Sequence, residues 1–240
     1  MLKKIKSLVQ ENRALHKTNL LQLKELEWAH VYHDSIRGKE WLEKLPLNIG
    51  RWAGNYSFFY VLNRILSDFK PNSILEFGLG ESSKFINAYI QNELKKTKYH
   101  IIEQDENWKN IYIDNNVISE NTTIFVCPIL EVEINNFKVN TYANLKQKIK
   151  YKYDLYVVDG PLGSSHYSRY DIYYLAKEFK ESDQFIILLD DYNRSGEKET
   201  AANLVELFKE KNIKTYHTHY TGAKSVFVIA SEKYKYVKSL

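Results

Sequence analysis

The stretch Ser73-Ile-Leu-Glu-Phe-Gly-Leu-Gly-Glu-Ser-Ser83 decides the fold. It is a short apolar run that ends in Glu76-Phe-Gly78-Leu-Gly80 and passes into a helical pattern from Ser82. A buried strand that turns through glycines into a helix forms a cradle for a small molecule. Glycine lets the backbone approach a ligand and take positive φ. The free N–H groups of the helix start then face that ligand. A strand–turn–helix junction with two purely structural glycines reads the same way, so the rest of the chain has to discriminate.

Downstream, strands and helices alternate. Strands are expected at Ser73–Phe77, Tyr99–Glu103, Thr122–Val126, Tyr153–Val158 and Phe185–Leu189, and helices at Ser82–Leu94, Arg169–Phe179 and Glu197–Lys209, after a helical stripe of Phe58, Phe59, Val61, Leu62, Ile65 and Leu66 that ends near Pro71. Two further strands, Lys214–Tyr220 and Ser225–Ala230, flank the turn Thr221-Gly-Ala-Lys224. This alternation predicts an α/β fold with a doubly wound, mostly parallel sheet of seven strands. Upstream, Ile5, Leu8, Val9, Leu15, Leu20, Leu23 and Leu26 recur at helical spacing, predicting a helix over 2–30 that needs a surface to pack on, its own domain or a partner subunit. Gly38, Pro46, Gly50 and Gly54 break that pattern into a linker or lid. The expected division is a helical extension with lid over 1–57 and the sheet domain over 58–240.

Composition narrows the class. The chain has 240 residues, 44% hydrophobic, enough for a sizeable core. Its net charge of +4 is a mild excess that does not demand nucleic acid. The single cysteine, Cys127, excludes an intrachain disulfide framework and a cysteine-rich zinc site. No apolar run approaches the roughly 20 residues that span a bilayer. Met-Leu-Lys-Lys-Ile-Lys carries no following apolar region of a signal peptide, so the cytoplasm is the expected compartment.

The acid before the glycines sets this turn apart from a dinucleotide fingerprint, in which a third glycine would stand at Ser83 and a carboxylate would repel pyrophosphate. Glu76-Phe-Gly78-Leu-Gly80 resembles motif I of the class I S-adenosylmethionine-dependent methyltransferases, E/D-x-G-x-G. The resemblance covers about residues 58–232 and implies a Rossmann-like fold that ends in an antiparallel strand. It implies S-adenosylmethionine as cofactor, held by Glu76, Gly78, Gly80, Ser82, Glu103 and Asp159. Glu103 follows Gly80 at close to the ~20-residue offset at which an acid takes ribose hydroxyls; Asp105 is an alternative for that task. Cys127 would adjoin the adenine site or simply be buried.

Asp159-Gly-Pro161 and Asp190-Asp191 close two neighbouring strands, so three carboxylates should meet on one rim. Close carboxylates repel unless something cationic lies between them. A hard divalent ion such as Mg²⁺ would satisfy Asp159, Asp190 and Asp191. The arrangement is similar to the metal-dependent O-methyltransferases, which use an Asp-Asn pair where this chain has Asp-Asp. Asp159 and His166 are the candidate catalytic groups, His166 as general base. Arg169 and Arg194 lie past the same strand ends and could fork onto an acceptor carboxylate or phosphate, or pair with the aspartates. Trp52, Asn55 and Tyr56 either form a lid over cofactor and acceptor or pack at a helix start.

Asp159-Gly-Pro161 with Arg169, and Asp190-Asp191 with Arg194, also resemble methyltransferase-like proteins of bacterial polysaccharide loci. The leading expectation is therefore O-methylation of a small hydroxylated acceptor such as a sugar or polysaccharide precursor. A nucleic-acid methyltransferase is the alternative: Lys146–Lys152 is basic, yet no Asn/Asp-Pro-Pro-Tyr/Phe motif follows the fourth strand. A non-catalytic scaffold, with the N-terminal helix joining copies into a homo-oligomer, is a third reading.

Overall fold

The structure, a computed structural model, describes residues 2–50 and 52–240. In chain order it comprises α1 (Leu2–Ile36), α2 (Glu40–Glu43), α3 (Tyr56–Arg64), a π-helical turn (Ile65–Phe69), β1 (Ser73–Phe77), α4 (Glu81–Asn92), β2 (Lys98–Glu103), α5 (Glu106–Asn115) and β3 (Thr122–Val126). There follow β4 (Ile129–Ile134), β5 (Phe137–Tyr142), α6 (Leu145–Lys148), β6 (Leu155–Val158), α7 (Asp171–Ala176), β7 (Ile186–Leu189), α8 (Ser195–Glu210), β8 (Thr215–Thr221), β9 (Ser225–Ser231) and a 3₁₀ segment (Glu232–Ser239).

Seven strands form one sheet in the order β3-β2-β1-β6-β7-β9-β8. The first five run parallel; β9 pairs antiparallel with β7, and β8 antiparallel with β9. The expected mostly parallel, doubly wound sheet is the one found. Its central strands are apolar on both sides because helices cover both. Ile74, Leu155, Val157, Ile186 and Leu188 face one core with α3 and α4, and Leu75, Tyr156, Val158, Ile187 and Leu189 face the other with α7 and α8. The period-2 alternation of a strand thus divides each one between two cores.

The hairpin β4–β5 and the helix α5 lie outside the predicted set, as do the short α2, α6 and the C-terminal 3₁₀ segment. The hairpin β4–β5 forms a separate two-stranded sheet. Its turn residues Asn135 and Asn136 both take positive φ, 49° and 67°, as a two-residue hairpin of this kind requires. The helix α5 starts at an N-cap, Asp105, whose side chain accepts from the N–H groups of Asn107 (2.8 Å) and Trp108 (3.1 Å). Asp105 is therefore committed to capping rather than to a ribose. The N-terminal helix is also longer than expected, running to Ile36.

Candidate cofactor and acceptor cleft

Parallel strands β1, β2, β6 and β7 end side by side, and the chain leaves each of them at the same rim. There a cleft of about 990 Å³ opens. The Gly78-Leu79-Gly80 turn forms its floor, Glu103 and Gln104 one side, and Asp159, Arg169 and Asp191 the other. Ligands of open α/β sheets bind at such a rim.

Gly78 has φ +95°, and a Cβ there would come within 3.1 Å of the Asp159 carbonyl oxygen. This is the position where the turn needs glycine. Gly80 caps α4, its N–H donating to Ser83 Oγ at 3.0 Å. Ser83 Oγ in turn donates to Glu76 Oε2 at 2.7 Å, and the Tyr99 hydroxyl donates to the same carboxylate. Glu76 is fully buried and is not among the cleft-lining residues. Burial pushes its carboxyl up to about 7, against the hydrogen bonds that favour ionisation. Glu76, expected among the residues that hold the cofactor, does not face the cleft: its side chain buttresses the turn from behind, through Ser83. The serine at the third glycine position is what makes that relay possible. Ser82 does line the cleft.

Glu103 is buried at the end of β2 yet lines the cleft. Its Oε2 accepts from Leu79 N–H (3.0 Å), its Oε1 from Gln104 (2.8 Å) and Asp105 (2.9 Å) N–H. Burial raises its pKa, and these three backbone donors oppose the rise. Each carboxylate oxygen has two acceptor sites, so Oε2 keeps one for a ligand hydroxyl. Beyond it, Trp108, Ile111 and Tyr112 of α5 supply an apolar wall, and Trp108 Nε1 donates to the Leu79 carbonyl at 2.8 Å. That wall was missed from sequence, although Asp105 followed by Trp108, Ile111 and Tyr112 carries a cap and a helical stripe. Cys127 is buried in the core and lies off the cleft.

Asp159, Asp190 and Asp191 do converge: one carboxylate oxygen of each lies within 4.8 Å of the others. The cation among them is the chain's own. Arg169 Nη2 lies 2.6 Å from Asp191 Oδ2 and 3.0 Å from Asp159 Oδ1, and its Nη1 donates to the Val158 carbonyl at 3.2 Å. Lys224 Nζ stands 3.5 Å from Asp191 Oδ1. Mg²⁺ requires octahedral oxygen ligation and keeps several waters. Here a buried guanidinium already bridges two of the three donors, and Asp190 is sealed from the cleft. The donor set does not fit a divalent ion. Asp190 finds no hydrogen-bond partner for either oxygen, and burial with two acidic neighbours pushes it up to about 7. Asp159 is raised to about 6, burial outweighing the pull of Arg169.

Both Arg169 and Asp191 hold positive φ, 57° and 58°. Such backbone persists in non-glycine residues when the surroundings over-determine it, and this ion pair does so. Arg169 is thus turned inward and is not free to fork onto an acceptor. Arg194 is half exposed at the cleft and touches Asp191 through Nη1 at 3.1 Å, leaving its other nitrogens for a ligand. Lys224 had no sequence signal: it arrives from the β8–β9 turn and also donates to the Ala53 carbonyl at 3.1 Å, tying the lid to the site.

Of the lid residues, Trp52 lines the cleft and is 95% exposed. Tyr56 does not reach it. It begins α3, its N–H donates to Glu25 Oε1 at 2.7 Å, and its ring packs 5.7 Å from that of Tyr32. His166 is likewise outside the cleft lining. Its Nδ1 pairs with Glu199 Oε1 at 2.8 Å and its ring stacks on Phe137 at 3.8 Å. These contacts hold it between β5 and α8, away from Asp159. A His166→Ala variant is expected to leave any reaction in the cleft within about twofold of its rate, as a substitution outside the site does; a loss of orders of magnitude in steady-state rate would return it to the machinery. The basic stretch 146–152 also lies apart from the cleft, with Lys152 paired to Asp183 at 2.5 Å.

The sequence matches no protein-family profile and no curated protein. Among solved structures, the human methyltransferase 10 domain containing protein is similar over 88% of this chain and 97% of its own, with 15% identity and a TM-score of 0.50. An O-methyltransferase from Bacillus cereus, in complex with S-adenosylhomocysteine, is 10% identical over 85% of this chain and 91% of its own, with a TM-score of 0.41. A Podospora anserina methyltransferase, also bound to S-adenosylhomocysteine, is 10% identical over 92% and 96%, with a TM-score of 0.42. With the strand order above, the first of these defines the architecture: the chain has the class I methyltransferase fold. No helix among the described residues is long and apolar enough to cross a membrane.

Proposed function

We propose that this protein is an S-adenosylmethionine-dependent methyltransferase that methylates an oxygen of a small hydroxylated acceptor such as a sugar or polysaccharide precursor. The observation that carries the reading is the shared rim, where the Gly78–Gly80 turn, the Glu103 carboxylate and the Asp159 carboxylate face one cleft. The turn accommodates close backbone approach, the Glu103 side chain offers an acceptor for a ribose diol, and the α5 wall suits a flat base. When bound, S-adenosylmethionine supplies an electrophilic methyl group on a sulfonium.

The protein's part is then positioning and proton transfer. Asp159 is the cleft-facing carboxylate beside the acceptor space. A base with a pKa near 6 is ionised at neutral pH and still able to take a proton. It removes the acceptor hydroxyl proton as the oxygen closes on the methyl carbon. Arg169 positions it and prevents burial from protonating it outright. Trp52 at the mouth offers an amphipathic ring that suits the face of a sugar.

Calorimetric titration with S-adenosylhomocysteine tests the cofactor half of the reading. A single saturable site is expected, and Glu103→Gln should weaken it about tenfold, the loss of roughly one charge-assisted hydrogen bond. Absence of binding by a folded protein would remove the enzyme reading and favour the scaffold. Transfer of an isotope-labelled methyl group across a panel of sugars and nucleotide sugars tests the acceptor half. Label appearing on nucleic acid instead would overturn it.

A further inference from the structure

The helix α1 carries two stripes. Leu21, Glu25, Trp28, Tyr32 and Ile36 follow spacings of three and four, and they face the body. Trp28 Nε1 donates to the Thr221 carbonyl at 3.0 Å, and Glu25 accepts from Asn55, from the Tyr56 N–H and from the Ala223 N–H. Roughly opposite, at 100° per residue, runs Ile5-Leu8-Asn12-Leu15-Asn19-Gln22-Leu26, also with spacings of three and four. Its apolar members are 51–64% exposed, and residues 3–20 are exposed throughout. Among the described residues nothing of the same chain covers this stripe, which extends about 32 Å at 1.5 Å per residue. Residues 3–20 of α1 stand free of the body.

We infer that α1 pairs with α1 of a second copy in a parallel, in-register two-stranded coiled coil along the Ile5–Leu26 stripe. The spacing is that of heptads with Ile5, Asn12, Asn19 and Leu26 at a positions and Leu8 and Leu15 at d. Two asparagines on the seam select the occupant. An asparagine at an a position is satisfied by its counterpart on an in-register helix, and it specifies register and two strands at some cost in stability. A lipid surface or an unrelated apolar groove would leave Asn12 and Asn19 unpaired. The flanks agree with parallel pairing: Glu11 falls beside His16 of the other copy, Lys4 beside Val9 and Thr18 beside Leu23, so no like charges meet. Because the body docks on the opposite side of the helix, two bodies can sit outside the seam without collision.

The full chain is tested by light scattering and sedimentation. Wild type is expected at twice the chain mass of 28.4 kDa. Leu8→Glu with Leu15→Glu should run as a folded monomer with unchanged near-ultraviolet circular dichroism, since neither side chain touches the body. Leu8→Cys should cross-link to a dimer under mild oxidation, and Gln10→Cys, on the other face, should not; Cys127 is buried and silent. A monomeric wild type, a dimer that survives the double glutamate variant, or a Leu8→Cys chain that fails to cross-link would each overturn the inference. So would a monomer that instead co-sediments with anionic phospholipid vesicles.

Discussion

Replacing Asp159 by asparagine is expected to slow methyl transfer by orders of magnitude while S-adenosylhomocysteine still binds. The substitution keeps shape and removes the proton acceptor, so the rate should fall by about 10²–10⁴-fold, the usual worth of a general base. Asp159 lines the cleft with its side chain 22% exposed, and its carboxyl is raised to about 6. The sign of the pH dependence follows. The proposed base would act when deprotonated, so wild-type kcat/KM should climb through pH 6 and level off above it, until some other group titrates. The acid limb should vanish from whatever activity the asparagine variant retains. Rapid-quench transfer rates with calorimetry on the same protein check the division of labour. Equal loss of binding and transfer would show that Asp159 serves the cofactor instead.

Replacing Arg169 by methionine is expected to cost about 3–5 kcal/mol of stability at pH 8, the penalty for leaving buried charges without their partner. Arg169 is 4% exposed and lies within ion-pairing distance of Asp159, Asp191 and Glu197. Its loss removes a positive charge that holds down the pKa of Asp159 and Asp190. Both folded-state values already lie above the unfolded one, so the native state binds extra protons between about pH 4 and 7. Native stability from these groups is therefore greatest at low pH and falls as pH rises through the folded pKa. In the methionine variant that fall is steeper: the destabilisation should be full at pH 8 and smaller at pH 5, where Asp159 and Asp190 are protonated. Urea unfolding at the two pH values measures it. A destabilisation independent of pH would assign Arg169 a packing role only.

Much of the fold was legible from local pattern. Five parallel strands, the terminal antiparallel pair and three of the flanking helices follow from period-2 and period-3.6 apolar spacing punctuated by glycine. The β4–β5 hairpin and α5 carried their own signals, the Asn135-Asn136 turn and the Asp105 cap, but each segment is short and partly exposed. Half-polar patterns of that kind do not separate cleanly from loop. The site was legible as positions. The chain does bring Gly78, Gly80, Ser82, Glu103, Asp159 and Arg194 to one rim with Trp52 over it. It was legible only in part as pairings: the alternative in which Arg169 and Arg194 pair with the aspartates is the one found, whereas Glu76 turned inward and His166 was taken by Glu199.

By itself, then, the sequence determined where strands end, where the backbone must turn through Gly78, and which side chains stand at strand termini, because these depend on neighbours within a few residues. The tertiary structure alone decided which charge meets which. Arg169 and Lys224 reach Asp191 from distant loops of the chain. Whether a cluster of acids receives a metal or a guanidinium depends on where those loops fold back. That placement follows from strand order and from burial, which makes an unpaired carboxylate costly enough to recruit whatever cation the fold delivers.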